Sequence, residues 1–328
     1  MSNIIVANNH CSNIGDAFYQ LSIIADLRNF FPASNVISGE EASCHVDSLN
    51  RFYVKNVFNY SYFGEADWYV LSGPILNSGF GLRYGNLLKK LKEKNVKLVL
   101  ISVGGLLYSN EEVNHCRQVL EEYPPYILST RDAQTFENYY ALAKHSYNGI
   151  CSAFYTSFQF QGYETPDLKD YVVYAFDQYL EPKLELFENI SKHNRFDIEI
   201  HNDYVGKKFS KLDYIKDFSR KYPEKIGRFP IIRLQHDTLG KKPIFVFRRP
   251  NTFLSLNSYA YYNLIKNASL VLGTRTHASV IALSYQVPTM LFQRLGLESI
   301  VSEPVILEKN ILQKEHSDFS SFLQSAGI

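Results

Sequence analysis

The sequence has 328 residues, of which 45% are hydrophobic and 20% charged. This composition excludes a mainly disordered chain and predicts a globular protein with a substantial core, and at roughly 150 residues per domain the length favours two domains. The formal net charge of +1 says nothing about partners, but residues 206–249 hold 13 Lys/Arg against 4 Asp/Glu. That segment is either a solvated basic face or a surface that attracts a nucleotide diphosphate, an acidic glycan or a membrane headgroup layer.

The four cysteines carry no metal-site pattern, because no two form a CxxC pair and no Cys/His cluster has zinc spacing. A chain of this length does not need disulfides to stay folded, so we expect reduced thiols in a cytosolic protein. The first residues lack the basic and apolar regions of a signal peptide, and no stretch approaches the ~20 apolar residues of a transmembrane helix. Peripheral contact with the inner face of a membrane is left open.

Short apolar runs alternate with amphipathic segments along the first half of the chain. Strands are predicted at residues 4–7, 68–71, 97–103 and 126–129. Helices are predicted at residues 16–30, 83–94, 111–122 and 133–142. Prolines that follow the first and third of these helices act as stop signals. This alternation predicts a parallel sheet with helices on both faces.

The same alternation starts again after residues 158–169, which we interpret as a linker because Gly, Pro, Gln and acidic residues replace the apolar periodicity. Strands are predicted at residues 170–176, 196–201, 244–247, 270–272 and 289–292. Helices are predicted at residues 182–192, 211–222, 257–267 and 276–285.

The predicted fold class is therefore α/β, with two Rossmann-like doubly wound domains that face a cleft in a GT-B-like arrangement. We assign residues 1–160 to an N-terminal, acceptor-side domain and residues 165–310 to a C-terminal, donor-side domain. Residues 311–328 are assigned to a C-terminal helix that is expected to pack back on the N-terminal domain.

The turn after the first predicted strand holds Asn13, Gly15 and Asp16. A helix that begins there directs free backbone N–H groups at a ligand, and the glycine allows close approach to the backbone. Asp16 is then placed to orient or deprotonate a sugar hydroxyl. The competing interpretation is a variant of the capping box, in which Asn13 and Asp16 only cap the helix.

Glycines follow the next two strands of the first half. Gly73 ends one apolar run, and Gly104 and Gly105 end another. Glycines at corresponding strand ends can line a phosphate or sugar pocket, although any α/β turn can use one.

Two further turns place an arginine at the start of a helix. Arg131 stands beside Asp132, where it either holds a carboxylate or phosphate or forms an ordinary surface salt bridge next to a helix cap. The second turn contains Gly273, Thr274, Arg275 and His277, and its helix N-terminus, fixed positive charge and titratable imidazole favour an anion site with proton transfer.

Taken together, Asn13-x-Gly-Asp16, Ser129-x-Arg131-Asp132 and Gly273-x-Arg275-x-His277-Ala278 resemble the three signatures of the polysaccharide pyruvyltransferase family. The resemblance spans roughly residues 10–292. The chain departs from the family in having Ser72-Gly73-Pro74 in place of a glycine-rich run, Thr276 in place of a leucine, and Gln293-Arg294 after the last strand.

The resemblance implies transfer of pyruvate from phosphoenolpyruvate to a sugar diol of a cell-surface or secreted polysaccharide precursor, which forms a ketal. It implies His277 as proton donor or phosphate ligand and Asp16 as base. Arg131 and Arg275 bind the anionic donor, together with Asn13, Gly15, Gly104, Gly105, Gly273 and Thr274. Phosphoenolpyruvate is a co-substrate, no cofactor or metal is expected, and the acceptor is a sugar or lipid-linked oligosaccharide.

Two alternatives remain at this point. One is a nucleotide-sugar-dependent GT-B glycosyltransferase, in which the basic second domain holds a diphosphate. The other is a non-catalytic glycan-binding protein, against which the presence of Asp16, Arg131 and His277 argues. His316 lies outside every motif, so its substitution is expected to have no measurable effect. No nucleic-acid partner is expected.

Overall fold

The computed structural model describes residues 2–8, 14–40, 65–162, 168, 170–176, 181–188, 196–200, 220–236, 249–292 and 303–328. The chain forms two compact units. The N-terminal unit contains the first strand, Asp16–Tyr155 and Asn310–Ile328, and the C-terminal unit contains Thr156–Lys309 and the short segment that ends at Gly15. No helix in the described part of the chain has both the length and the apolar character needed to cross a bilayer.

The N-terminal unit is built on a sheet of parallel strands in the order β2-β1-β3-β4-β5-β6. The strands are β1 (Asn3–Asn8), β2 (Asn35–Glu40), β3 (Trp68–Gly73), β4 (Lys97–Val103), β5 (Ile127–Thr130) and β6 (His145–Asn148). Successive connections leave β1 in opposite directions along the sheet, so the topological switch point lies between β1 and β3. In open α/β sheets, ligands bind outside the carboxyl ends of the strands at such a point.

Four helices connect these strands: α1 (Ile14–Phe30), α2 (Phe80–Glu93), α3 (Asn110–Glu122) and α4 (Ala133–Tyr139). Short 3₁₀ turns follow at Tyr140–Leu142 and Ser152–Tyr155. The Ser109 hydroxyl caps α3 and the Asp132 carboxylate caps α4, each accepting from a backbone N–H of the first turn, which stabilises a helix by about 1 kcal/mol. The helices predicted in this half are confirmed.

The C-terminal unit has a second sheet in the order β10-β11-β7-β13-β14, with β12 pairing with β11. All its pairs are parallel except β10 with β11. The strands are β7 (Val172–Ala175), β10 (Lys225–Ile226), β11 (Phe229–Leu234), β12 (Thr252–Phe253), β13 (Leu270–Gly273) and β14 (Thr289–Leu291), and the helices are α5 (Thr156–Gln159), α6 (Ser258–Lys266) and α7 (Thr276–Ser284).

One predicted helix of this unit is wrong. Residues 182–192 were expected to be helical, but Leu184–Glu188 forms strand β8, which pairs antiparallel with β9 (Phe196–Ile200). Apolar side chains at alternate positions of this hairpin pack against the core of the larger sheet. A period of two suits a half-buried strand and not a helix.

Several other predictions fall partly or wholly outside the described residues. These are the helix at 211–222, the strand at 244–247, most of the basic segment at 206–249, part of the linker at 158–169, and two of the four cysteines. The other two cysteines, Cys116 and Cys151, are buried and free of disulfides.

The expectation that substitution of His316 has no measurable effect stays a prediction, but the structure shows contacts of this side chain that the sequence did not indicate. His316 lies on the C-terminal helix α8 (Lys309–Ser325), and its Nε2 is 2.7 Å from Oδ1 of Asp26, a side chain on α1 that is almost fully buried. The imidazole also packs on the rings of Phe30 and Tyr155. A motif search misses this pair because its members are 290 residues apart.

Candidate functional site

One group of candidate site residues lies at the carboxyl edge of the N-terminal sheet, next to the switch point. Helix α1 begins at Ile14, so Gly15 and Asp16 lie in its first turn, as predicted. Gly15 is buried and Asp16 is half-buried, a position from which the carboxylate can meet both solvent and ligand. Asn13 lies outside the described residues.

Arg131 follows β5 and is seated against Gly104 at the end of β4. Its backbone N–H donates to the Val103 carbonyl at 3.0 Å, and a Cβ at Gly104 would lie 2.3 Å from Nε of Arg131. The guanidinium can therefore occupy this position only because Gly104 has no side chain. Within the described part of the chain, no carboxylate pairs with this guanidinium, and Asp132 instead caps α4.

Gly105 begins a loop that is fixed from within the protein. Its N–H donates to the Tyr108 hydroxyl at 3.2 Å and to Oγ1 of Thr135 at 3.3 Å. In the same loop, Oε1 of Glu112 accepts from three consecutive backbone N–H groups, at residues 106–108, at 3.0–3.1 Å. Burial raises the pKa of the Glu112 carboxyl, but these N–H groups together hold it below its usual value. The loop beside Arg131 is thus anchored by a buried carboxylate.

A residue with positive φ lies at the end of β3 and another near the end of β4. Gly73 has φ of 91° and Ser102 has φ of 55°, and the pairing of these strands shifts register at this point. A left-handed, buried serine costs on the order of 1 kcal/mol, and such strain persists where the surroundings fix the residue. The Ser102 hydroxyl accepts from the Ser152 backbone N–H at 2.9 Å, which holds the neighbouring Cys151 in place.

Of three further residues at this edge, Cys151 was not considered as a site residue on the sequence, whereas Ser72 and Thr130 were singled out only as members of strand-end motifs. Burial raises the pKa of the Cys151 thiol, while the nearby Arg131 acts to lower it. The hydroxyls of Ser72 and Thr130, at the ends of β3 and β5, are buried and have no hydrogen-bond partner among the residues that the structure describes. Both residues occupy strand ends directly before a predicted motif residue, and that position is the signal that sequence analysis had available.

Another group of candidate residues lies at the carboxyl edge of the C-terminal sheet. Gly273 ends β13, and a Cβ there would lie 2.6 Å from both Cβ and the carbonyl oxygen of Ala175 on β7. Its lack of a side chain therefore allows β13 and β7 to pack closely. Thr274 is buried, and its N–H donates to the same carbonyl at 3.1 Å.

Arg275 and His277 open helix α7. Arg275 is 7% exposed and occupies the N-cap position without a side-chain cap, and His277 is half-buried in the first turn. The positive end of the helix dipole favours an anion at this position. The arginine adds a fixed positive charge, and an imidazole exchanges protons near neutral pH.

The predicted site residues that the structure describes are thus distributed over both units. Gly104, Gly105 and Arg131 gather with Asp16 at one sheet edge, and Gly273, Thr274, Arg275 and His277 at the other. No group of three or more His, Cys, Asp or Glu side chains within the described ranges has the arrangement of a metal site.

The family model for polysaccharide pyruvyl transferases matches residues 13–294, most of the chain. The chain belongs to the polysaccharide pyruvyl transferase family. The resemblance inferred from the three short motifs is therefore confirmed, and the family is one of transferases. No curated protein is significantly similar to the chain in sequence.

Several solved structures are similar to this pyruvyl transferase family member at low sequence identity. Staphylococcus aureus MnaA with UDP matches at a TM-score of 0.51 and 9% identity, over 97% of this chain and 88% of that one. Methanocaldococcus jannaschii UDP-GlcNAc 2-epimerase, in complex with UDP-GlcNAc and UDP, has a TM-score of 0.49 and 12% identity, over 90% and 85%. Escherichia coli heptosyltransferase WaaC with ADP has a TM-score of 0.42 and 10% identity, over 99% and 100%. The predicted class, α/β with two Rossmann-like units of GT-B type, is confirmed.

Proposed function

We propose that this protein transfers pyruvate from phosphoenolpyruvate to two hydroxyls of a sugar in a polysaccharide precursor, forming a ketal. The observation that carries the proposal is the match to the pyruvyl transferase family over residues 13–294. The positions of the family-like residues support it, because each motif lies on a strand-to-helix turn at the carboxyl edge of a parallel sheet.

The reaction needs a proton, a base and positive charge. The methylene carbon of phosphoenolpyruvate takes up a proton, which makes the central carbon electrophilic. A sugar hydroxyl attacks that carbon and loses its proton to a base, the bond from this carbon to the phosphate oxygen breaks, and the second hydroxyl closes the ketal as its proton is released. The net products are the ketal and inorganic phosphate. The proposed steps use side chains alone, with phosphoenolpyruvate as co-substrate.

Arg131 suits the anionic donor because its planar guanidinium can bind a carboxylate or phosphate through two parallel hydrogen bonds. Within the described residues this group has no carboxylate partner that a ligand would have to displace. The guanidinium of Arg131 packs against Gly104, which orients it before a ligand binds. This orientation lowers the entropic cost of binding.

We assign Arg275 and His277 to the phosphate and methylene groups of phosphoenolpyruvate, where charge changes during the reaction. The start of α7 favours phosphate, and Arg275 is buried, where its charge acts in a low dielectric. We assign His277 as the proton donor to the methylene carbon or as the phosphate ligand, and Asp16 as the base for the attacking hydroxyl.

The alternative of a nucleotide-sugar glycosyltransferase draws on the same GT-B fold, but a fold by itself does not identify the reaction. The arginine and histidine at α7 would serve a nucleotide diphosphate equally well. The family match favours pyruvyl transfer over this alternative.

The deciding experiment is incubation of the purified protein with phosphoenolpyruvate and a panel of lipid-linked and nitrophenyl-linked sugars. We expect acceptor-dependent phosphate release together with a product whose mass has increased by one pyruvate ketal. A parallel panel contains UDP- and GDP-sugars in place of phosphoenolpyruvate. Sugar transfer in the second panel, with no phosphate release in the first, would establish the glycosyltransferase alternative instead.

A further inference from the structure

Tyr19 is a buried polar residue of the first helix that no motif includes. It lies one helical turn after Asp16 and is 3% exposed. Its hydroxyl donates to Oδ1 of Asp16 at 3.3 Å, a long hydrogen bond of the kind that shortens when a catalytic site is occupied. The tyrosine therefore touches the side chain to which the base role is assigned.

The end of β3 is shaped around this hydroxyl. A Cβ at Gly73 would lie 2.2 Å from the Tyr19 oxygen and 2.6 Å from Cζ of its ring, so any side chain at this position would displace the hydroxyl. Gly73 also adopts φ of 91°, a conformation that L-residues with a side chain rarely adopt. The glycine of the Ser72-Gly73-Pro74 departure from the family pattern thus has a definite role, which is to admit Tyr19.

Among the described residues, the titratable groups that act on the Tyr19 hydroxyl are Asp16, Tyr84, Arg131 and Cys151. Burial raises the pKa of this hydroxyl well above its ordinary value, and Asp16 and Tyr84 raise it further, whereas Arg131 acts to lower it. The hydroxyl therefore keeps its proton at physiological pH and is a permanent donor. A donor that never ionises can hold the neighbouring carboxylate in one orientation and favours its charged form.

We propose that Tyr19 is a positioning residue that holds the Asp16 carboxylate in the orientation needed to accept a proton from the acceptor hydroxyl. This inference rests on the base role proposed for Asp16. Oδ1 of Asp16 accepts the hydrogen bond from Tyr19, and this bond restrains the rotation of the carboxylate. Tyr19 does not touch the reacting atoms itself, so its effect is on the rate and its pH dependence and not on donor binding.

The test compares Tyr19→Phe with the wild type in two measurements. The first is the pH profile of pyruvyl transfer, in which we expect kcat to fall about tenfold and its acidic limb to move up by about one pH unit, with KM for phosphoenolpyruvate unchanged. The second is titration of the Asp16 carboxyl by ¹³C NMR of aspartate-labelled protein, assigned with Asp16→Asn. Loss of the hydrogen bond should raise the pKa of this carboxyl.

Two further variants make the test specific. Tyr139→Phe removes another buried tyrosine hydroxyl of the same unit, which bonds to Cys116 and not to Asp16, and should leave both measurements unchanged. Gly73→Ala retains the Tyr19 hydroxyl, but the added methyl group occupies the space in which this hydroxyl lies. This variant should show the same pH profile of pyruvyl transfer as Tyr19→Phe. If the pKa of the Asp16 carboxyl is the same in Tyr19→Phe as in the wild type, the inference is wrong. A wild type inactive with phosphoenolpyruvate overturns the proposed function, while the titration still decides whether Tyr19 acts on Asp16.

Discussion

At the scale of single residues, Gly104 offers a way to test Arg131 without removing its charge. A methyl group at position 104 would lie 2.3 Å from Nε of Arg131, and the flexible side chain must move away. We expect Gly104→Ala to raise KM for phosphoenolpyruvate about tenfold or more, as Arg131→Ala should, with little change in thermal stability. Steady-state kinetics and a melting curve check this.

The matched control is Gly85→Ala on α2, where a Cβ would meet no atom within 4 Å. This change should leave the kinetics untouched and can only favour the helix, by up to about 1 kcal/mol. If the KM of Gly104→Ala for phosphoenolpyruvate equals that of the wild type, then the packing of Arg131 against Gly104 has no importance for donor binding.

His277 carries the sharpest prediction for the chemical step. Because it is half-buried in the first turn of α7 and not in a core, His277→Ala should fold normally and lose at least about 100-fold in kcat. The control is His145→Ala, since His145 lies at the amino end of β6, the edge of the sheet opposite the candidate site. A fully active His277→Ala would refute the proposed role, and an unfolded variant would make His277 structural.

The sequence indicated some of these residues and not others, for physical reasons. Asp16, Arg131 and His277 stand on strand-to-helix turns, where polar residues next to glycine are visible as a pattern. Tyr19 falls within the buried stripe of α1, where an aromatic residue is interpreted as core packing. Gly104 was identified as a site residue, but its contact with Arg131 joins two strand ends and becomes visible only in three dimensions.

At the scale of elements, the loop at residues 104–109 depends on the carboxylate of Glu112. The pKa of this group is lowered in the fold, so its contribution to stability is present above the unfolded pKa of about 4.3 and is lost as pH falls through the lower folded value. Glu112→Gln should therefore lower the free energy of unfolding by about 1–2 kcal/mol at pH 7, and the difference should shrink below about pH 4.

Urea unfolding at several pH values measures this difference. Glu111→Gln is the matched control, since Glu111 is the exposed neighbour on the same helix turn, and it should change stability by less than about 0.5 kcal/mol. A pH-independent loss in Glu112→Gln would show that the charge of Glu112 does not anchor the loop.

The C-terminal helix is held by the pair of His316 and Asp26. His316→Ala leaves the buried Asp26 carboxylate without this partner and removes the ring contacts with Phe30 and Tyr155. We expect a loss of about 2 kcal/mol in the free energy of unfolding, with the activity per folded molecule retained. Lys314→Ala, an exposed change on the same helix, should cost less than about 0.5 kcal/mol, and equal losses in both variants would contradict the role of the pair.

Elements were predicted best where apolar runs are long and fully buried. Strands β3, β4 and β13 are buried along most or all of their length, and a continuous apolar run identifies such a strand. The polar, half-exposed β6 gives no such signal and was missed. The sequence Leu184-Glu185-Leu186 does alternate with a period of two, but its strand pairing depends on residues 196–200, which are distant in sequence.

At the scale of the whole molecule, each unit contributes positively charged or proton-exchanging groups that suit an anionic donor. The N-terminal unit offers Arg131, and the C-terminal unit offers Arg275 and His277 at the start of α7. A ligand that binds only the native state raises its stability by mass action, by about 2.7 kcal/mol at 100 times the dissociation constant. We expect Arg131 and Arg275 each to contribute to this effect.

We therefore expect phosphoenolpyruvate to raise the melting temperature in a concentration-dependent manner, and Arg131→Ala and Arg275→Ala each to reduce that shift. Inorganic phosphate at the same concentrations is the control for a non-specific anion effect and should give a smaller shift, because it lacks the carboxylate that a second arginine can bind. Differential scanning fluorimetry measures the melting temperature in every case. The ionic strength is kept fixed because salt screens the contacts between arginine and an anion. Stabilisation by UDP- or GDP-sugars with none from phosphoenolpyruvate would reject the proposed donor and favour sugar transfer from a nucleotide.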